Sequence, residues 1–260
     1  MAIFKLGLVG AGRMGQNHLK AHASSEVVRV TAIAEPVEAT RAALPSSGAV
    51  LHPSIDSMLA AGASVPLQIG FWRRFVPMLK RLRERIVGGE LGSVYAIACF
   101  QWDGQPPGAY FRTHSGGIFV DMDVHEFDQT RWLSEQEFGP TRSLASGVAA
   151  EPWPGDPESA HVLAELSGGT TALISLGRRF PLGDVCKVEV FGTKDWEECR
   201  FLWPPTADAT FFEALKVQAE SFARHTRGAP REGAGGDDAA AALEAAQRAA
   251  FAFAPGGAIV

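Results

Sequence analysis

The chain has 260 residues, of which 46% are hydrophobic and 20% charged, and its formal net charge is −5 at pH 7. This length suits two small domains or one large one. The mild acidity argues against a nucleic-acid-binding surface, and no apolar run approaches the roughly 18 residues that a membrane span needs. The three cysteines are odd in number, which favours reduced thiols in a cytoplasmic protein. No cluster of His, Cys and Asp has the spacing of a metal site.

The first 35 residues have the pattern of a dinucleotide-binding unit. The apolar run Ile3–Val9 leads into a GxGxxG sequence at 10–15, and a second apolar run, Val27–Ala34, ends at Glu35. An acidic residue twenty positions after the last glycine is the spacing that this unit requires. The context therefore favours a nucleotide site over an ordinary glycine-rich turn.

Each residue type at this turn has a physical role in binding a dinucleotide. The first glycine allows the tight turn, the second lets a pyrophosphate approach the backbone, and the third lets the helix sit close to the strand. Glu35 is expected to accept hydrogen bonds from the adenosine ribose and to repel a 2′-phosphate, which favours NAD over NADP. The residues predicted to bind the cofactor are Gly10, Gly12, Arg13, Met14, Gly15 and Glu35.

Short elements follow, and the pattern then changes to alternating strands. Before residue 90 we predict helices over 36–44, 54–61 and 76–87 and strands over 48–52 and Val65–Phe71. After residue 93 the predicted strands are Val94–Trp102, Arg142–Ala149, Ala160–Leu166, Thr170–Gly177 and Val185–Gly192. Two helices, Phe211–Arg227 and Asp237–Phe253, close the chain.

The stretch Ser115–Trp132, SGGIFVDMDVHEFDQTRW, interrupts the strands and predicts a helix. On a continuous helix Asp121, His125 and Asp128 would project from one face within roughly 40° of each other. An imidazole between two carboxylates is a plausible device for proton transfer. An ordinary surface helix with an exposed His–Asp pair explains the same spacing equally well.

Several segments together resemble the glucose–fructose oxidoreductase/inositol dehydrogenase (Gfo/Idh/MocA) family, in the family's order. They are LGLVGAGRMGQNHLKAH, AIAEP, QIGFWRRFVP, GELGSVYAI, SGGIFVDMDVHEFDQTRWL and VEVFGTKD. The GGIFxDMxxHxFD run is the most specific of them, and the likeness is strongest to the family's inositol 2-dehydrogenases.

The resemblance implies an oxidoreductase that acts on a polyol or sugar hydroxyl with NAD. In the family's inositol dehydrogenases the Asp and His of a DxxxH pair act at the reacting hydroxyl, and these match Asp121 and His125. His125 would take the hydroxyl proton while hydride leaves the same carbon, and Asp121 would hold the substrate or tune the imidazole. Substrate contact is also predicted for Arg112, His114 and Asp128.

The resemblance also implies the architecture. We expect an α/β plus α+β chain, with a shortened Rossmann-type parallel sheet in residues 1–90 and a larger, mainly antiparallel sheet in residues 91–260. The C-terminal helix could pack back on the first domain. Family members associate through the open face of the larger sheet, which implies a homodimer or homotetramer.

One departure from the family is large. Two strand–helix units that precede the QIGFWRRF segment in the family are missing, on the order of fifty residues, and no Glu-Lys-Pro motif, whose lysine touches the reacting hydroxyl, occurs in the chain. Lys80 and Arg112 are the nearest substitutes in the sequence. To cover the edge of the first strand, we expect Val65–Phe71 to pair with it, giving the strand order 3-2-1-4.

Two hypotheses follow. The first is an NAD-dependent polyol or sugar dehydrogenase with Asp121 and His125 as catalytic residues. The second is a catalytically impaired relative that keeps the scaffold for ligand binding or association, since the lysine and the nicotinamide half of the cofactor site are missing.

Overall fold

The computed structural model describes residues 3–45, 47–61, 66–146 and 156–253, without the side chains of 146 and 253. The chain forms two compact units. One consists of Met1–Phe75 and Phe211–Ala234, and the other of Val76–Thr210 and Gly235–Val260. These units are defined by the contacts that residues make within the chain. The predicted domain boundary after residue 90 stays a prediction.

The first unit contains a small parallel sheet. Its strands are β1 (Phe4–Val9), β2 (Val28–Ala34) and β3 (Val50–His52), in the order β1-β2-β3. Both pairings are parallel, as predicted for a Rossmann-type sheet. The helix α1 (Arg13–His22) follows the glycine turn, and buried Ala11, Val30 and Ile33 form a core cluster against the sheet.

Short helices complete the strand connections of this unit. They are α2 (Glu38–Ala42), α3 (Ile55–Ala60) and a 3-10 turn at Trp72–Phe75. The side chain of Ser54 caps α3 by accepting a hydrogen bond from the backbone N–H of Ser57, which satisfies one of the donors left open at a helix start. The helix α8 (Ala207–His225) packs Phe222 edge-on against Phe4 of β1, with ring centroids 6.1 Å apart.

The predicted strand order 3-2-1-4 is wrong. Residues 66–71 form no strand, and Ile69 instead makes an antiparallel bridge to Ala234, donating its N–H to the carbonyl oxygen at 2.9 Å. The Gln218 side chain on α8 donates to the Ile69 carbonyl at 3.4 Å. Among the described residues β1 pairs with β2 alone. Val65, the first residue of the predicted strand, lies outside the described ranges.

The second unit is built on a six-stranded mixed sheet, in the order β5-β6-β7-β4-β8-β9. The strands are β4 (Val94–Trp102), β5 (Phe138–Ser146), β6 (Ser159–Leu166), β7 (Thr171–Gly177), β8 (Val185–Gly192) and β9 (Trp196–Leu202). Every pairing is antiparallel except that of β4 with β7. The predicted mainly antiparallel sheet is therefore confirmed, while β9 was not predicted. Residues 147–149 of the predicted strand Arg142–Ala149 are not among those described.

Among the described residues, helices pack on one face of this sheet, and strand residues that point to the other face are exposed. The helices of the unit are α4 (Pro77–Val87), α5 (Ala109–His114), α6 (Ile118–Asp121), α7 (Asp123–Ser134) and α9 (Gly236–Phe253). Strand β6 alternates strictly between exposed and buried residues, as expected where one face packs on helices. In the part of the chain that is described, no helix combines the length and the apolar character needed to cross a bilayer.

His22 makes the stability of the first unit depend on pH. Its side chain is 5% exposed, and burial together with the neighbouring His18 lowers its pKa from 6.5 to about 4. Below pH 6.5 the unfolded chain binds a proton here that the folded chain does not, so stability falls as the pH drops from 6.5 towards 4. Between pH 7 and pH 5 we expect wild type to lose about 2 kcal/mol more than His22→Leu in urea unfolding.

The matched control for this measurement is Asn17→Leu, because Asn17 lies on the same helix, α1, and carries no titratable group. That variant should keep the pH dependence of wild type. Equal losses of stability in wild type and His22→Leu would contradict the assignment to His22.

Candidate functional site

The glycine turn has the geometry of a phosphate-binding loop. Gly10 has φ +82°, a value that favours glycine. A Cβ on Gly12 would meet no atom within 4 Å, whereas one on Gly15 would lie 2.1 Å from the Gly10 carbonyl oxygen. Gly12 is also the N-cap of α1 and makes no side-chain cap hydrogen bond. The turn thus offers an open approach to the first N–H groups of a ten-residue helix, an arrangement that suits an anion.

Glu35 closes one side of this turn. Its carboxylate accepts hydrogen bonds from the backbone N–H of Ala11 at 2.7 Å and of Val37 at 2.9 Å. Those two bonds, Ala11 first, hold the pKa of Glu35 below its usual range. The carboxylate is therefore ionised and fixed beside the loop, and its contact with a ribose stays a prediction.

Two other predicted cofactor residues, Arg13 and Met14, are exposed on the first turn of α1. Gly10 and Gly12 lie in the turn that follows β1, Gly15 lies in α1, and Glu35 directly follows β2. Of these, Gly12 is exposed, while Gly15 and Glu35 are buried. The residues present therefore fit the adenosine and pyrophosphate half of a dinucleotide.

The predicted helix Ser115–Trp132 is divided in two. Gly117 has φ +79° and precedes α6, which ends at Asp121, and Met122 separates α6 from α7. At this joint the backbone N–H of His125 donates to the Met122 carbonyl at 3.2 Å, a bond spanning three residues instead of four. Asp121 and His125 thus lie on either side of a joint and not on one continuous helix.

Asp121 is held by a residue that the sequence analysis did not single out. Its Oδ2 accepts a hydrogen bond from Nη1 of Arg178 at 2.7 Å, and the Arg178 side chain is 1% exposed. Burial alone would lower the pKa of Arg178, but its hydrogen bonds to Asp121 and Asp156 outweigh that effect and raise it. The sequence offered one signal for Arg178, because it is a charged residue that directly follows the buried end of β7.

Asp103, at the end of β4, is affected by the charges of Asp121 and Arg178. Burial raises the pKa of Asp103 to about 6, the charges of Asp184 and Asp121 act in the same direction, and Arg178 opposes them. The backbone N–H of Asp103 donates to Gly177 at 2.9 Å, at the end of β7. The ends of β4 and β7 therefore place further ionisable groups near Asp121.

The three residues predicted to contact substrate have different surroundings. Arg112 is buried, and its guanidinium binds Asp156 and Glu158. Contact of Arg112 with substrate stays a prediction. His114 is exposed and stacks on Tyr110, with ring centroids 4.3 Å apart.

Asp128 is buried on α7. Together with the stronger hydrogen bonds from Glu137, its charge raises the pKa of Arg131. Asp121, by contrast, is bound to Arg178. The two carboxylates thus act on different cations.

Among the described residues, no group of three or more His, Cys, Asp and Glu side chains is placed to hold a metal ion.

Comparisons with known proteins agree with these features. Residues 79–196 match the family model described as the GFO/IDH/MocA C-terminal domain. The chain is 41% identical to the rhizopine catabolism protein MocA of Rhizobium meliloti, covering 96% of this chain and 95% of that protein. That alignment spans 300 positions against the 260 residues of this chain, so at least 40 positions of MocA have no counterpart here.

Solved structures show the same fold. A myo-inositol dehydrogenase from Corynebacterium glutamicum superposes with a TM-score of 0.84 at 20% identity, covering 97% of each chain. A scyllo-inositol dehydrogenase from Lactobacillus casei, solved with NAD(H) and scyllo-inositol, gives 0.73 at 19% identity, again over 97% of each chain. At these identities the likeness concerns the fold alone.

Proposed function

Since this chain belongs to the Gfo/Idh/MocA family, we propose that it is an NAD-dependent oxidoreductase acting on a hydroxyl group of a polyol or sugar. The observation that carries the proposal is the turn at Gly10–Gly15, where Gly12 leaves open space at the start of α1. The relatives named as inositol dehydrogenases support a polyol substrate.

In the proposed reaction the imidazole of His125 accepts the hydroxyl proton of the substrate. Asp121, with one carboxylate oxygen bound to Arg178 and 21% of its side chain exposed, accepts a hydrogen bond from the substrate or from the imidazole. A bound nicotinamide would supply the acceptor for the hydride that leaves the same carbon. An alcohol becomes a ketone, and the proton leaves through His125.

We assign NAD over NADP from Glu35. The ionised, buried carboxylate beside the glycine turn suits a ribose diol and disfavours a 2′-phosphate. In calorimetric titrations NADH is therefore expected to bind at least tenfold more tightly than NADPH. Glu35→Gln should reduce that preference, and equal affinities in wild type would contradict the assignment.

Specific observations favour the alternative, that the chain is a catalytically impaired member of the family. No Glu-Lys-Pro motif occurs in the chain, and Arg112 is engaged with Asp156 and Glu158 in the structure. Incubation with NAD and a panel of inositols and aldoses, followed by NADH absorbance, separates the two functions. Reduction of NAD supports the dehydrogenase, whereas NADH binding without turnover on any polyol supports the impaired relative.

We also propose that the chain forms a homodimer or homotetramer through the open face of the larger sheet. Leu144, Leu163 and Leu173 are exposed on neighbouring strands of that face, an apolar surface of the kind that oligomers bury. Light scattering after size-exclusion chromatography measures the state directly, and a monomer at micromolar concentration would contradict this proposal.

A further inference from the structure

A buried row of alternating charges stands behind Asp121. Nη1 of Arg178 binds Asp121 at 2.7 Å, and Nη2 binds Asp156 at 2.8 Å. The side chains of Arg178 and Asp156 are 1% and 0% exposed. Breaking a buried ion pair leaves an uncompensated charge, which is strongly unfavourable. The Arg178 guanidinium is therefore held in place between the two carboxylates.

The far end of the row is anchored as well. Arg112 donates from Nε to the other oxygen of Asp156 at 2.5 Å and from Nη2 to its backbone carbonyl at 2.6 Å. The backbone N–H of Arg178 donates to the Glu158 carbonyl at 2.8 Å. Hydrogen bonds therefore hold both the backbone and the guanidinium of Arg178. The guanidinium has little freedom to change its position.

Asp121 needs such support because of its place in the chain. It is the last residue of the four-residue helix α6, immediately before the joint at Met122. A short helix ending at a joint determines the direction of a side chain poorly, since one turn makes few backbone hydrogen bonds. The bond from Arg178 fixes one carboxylate oxygen while 21% of the side chain stays exposed.

We propose that Arg178 is a positioning residue, which orients the Asp121 carboxylate for the reacting hydroxyl and is itself braced by Asp156 and Arg112. This inference rests on the proposed function. An arginine is required because its planar fork gives two carboxylates separate N–H donors. A lysine presents its three donors from a single nitrogen, so it cannot reproduce the separate positions of Nη1 and Nη2.

The test compares Arg178→Gln, Arg178→Lys and the control Arg179→Gln in the full chain, with rates expressed per folded, NADH-binding molecule. Arg179 is the adjacent arginine, its side chain is 64% exposed, and it pairs with Glu158 at the surface. Misplacing a catalytic group by about 1 Å costs on the order of 10²-fold in rate. We therefore expect Arg178→Gln to lower kcat for polyol oxidation about 10²-fold, with KM for NAD unchanged.

Partial rescue distinguishes positioning from a structural role. Arg178→Lys should recover part of kcat, and Arg179→Gln should match wild type. If Arg178→Gln lowers the melting temperature but keeps the wild-type kcat per folded molecule, the residue is only structural and the inference is overturned. Asp156→Asn is the second probe, for the case in which Arg178→Gln does not fold. This substitution keeps the Arg178–Asp121 bond but removes the charge of Asp156 that holds Arg178. We expect a smaller loss of kcat than in Arg178→Gln.

Failure of the proposed function gives a different result. If wild type binds NADH but does not turn over any polyol, the readout becomes calorimetric binding of myo-inositol to the NADH complex. A weaker affinity in Arg178→Gln but not in Arg179→Gln would then support the positioning role. Equal affinities, or no binding of myo-inositol by wild type, would overturn it.

Discussion

His125→Ala is expected to lower kcat/KM for polyol oxidation by about 10²–10⁴-fold, the range that a positioned general base contributes. His125 lies in the first turn of α7, directly after the joint that also places Asp121. NADH binding should be unchanged, because the residues proposed to hold the cofactor, the glycine turn and Glu35, are left unaltered. The measurement is NADH absorbance under saturating NAD, with NADH affinity determined separately.

The matched control is Glu84→Ala, which removes an exposed side chain of α4 from the same unit. Its kcat/KM should stay within about twofold of wild type. An activity that survives in His125→Ala would refute the mechanism while leaving the dehydrogenase assignment intact. A loss that is accompanied by lost NADH affinity would instead point to a general defect in folding.

The parts of the fold that the sequence predicted depend on local patterns. The strands β4 and β8 begin and end at the predicted residues, because alternation of apolar residues bounded by turns is visible within a short window. The glycine turn was predictable for the same reason, since three glycines and one acid at fixed spacing carry most of its geometry.

What the sequence did not predict is long-range. Arg178 binds Asp121 across 57 positions, and Ile69 bridges to Ala234 across an even longer separation. No periodicity reports such pairs. The joint at Met122 involves only neighbouring residues, but the sequence did not predict it either. The residues on both sides of Met122 favour helix, and the break is visible only in the backbone. The spacing of Asp121, His125 and Asp128 therefore predicted one continuous helix, whereas the structure divides these residues between α6 and α7.

Gly15→Ala is expected to unfold or severely destabilise the first unit and to abolish NADH binding. The new Cβ would lie 2.1 Å from the Gly10 carbonyl oxygen and 2.9 Å from its carbon. Both are backbone atoms of the turn, so no side chain can move aside to relieve the clash. Overpacking typically costs 1–3 kcal/mol and occasionally more, and we expect at least about 3 kcal/mol here. Thermal unfolding and calorimetric titration with NADH measure the two effects.

Gly12→Ala separates the nucleotide contact from the packing requirement. A Cβ on Gly12 meets no atom within 4 Å, so stability should stay within about 1 kcal/mol of wild type. NADH affinity should nevertheless fall at least tenfold, because the methyl group would occupy the space through which a pyrophosphate approaches the backbone. Gly70→Ala, equally free of neighbours, is the control that should change neither quantity. If Gly12→Ala binds NADH as tightly as wild type, the open space at the start of α1 is not a pyrophosphate site, and the observation that carries the proposed function fails with it.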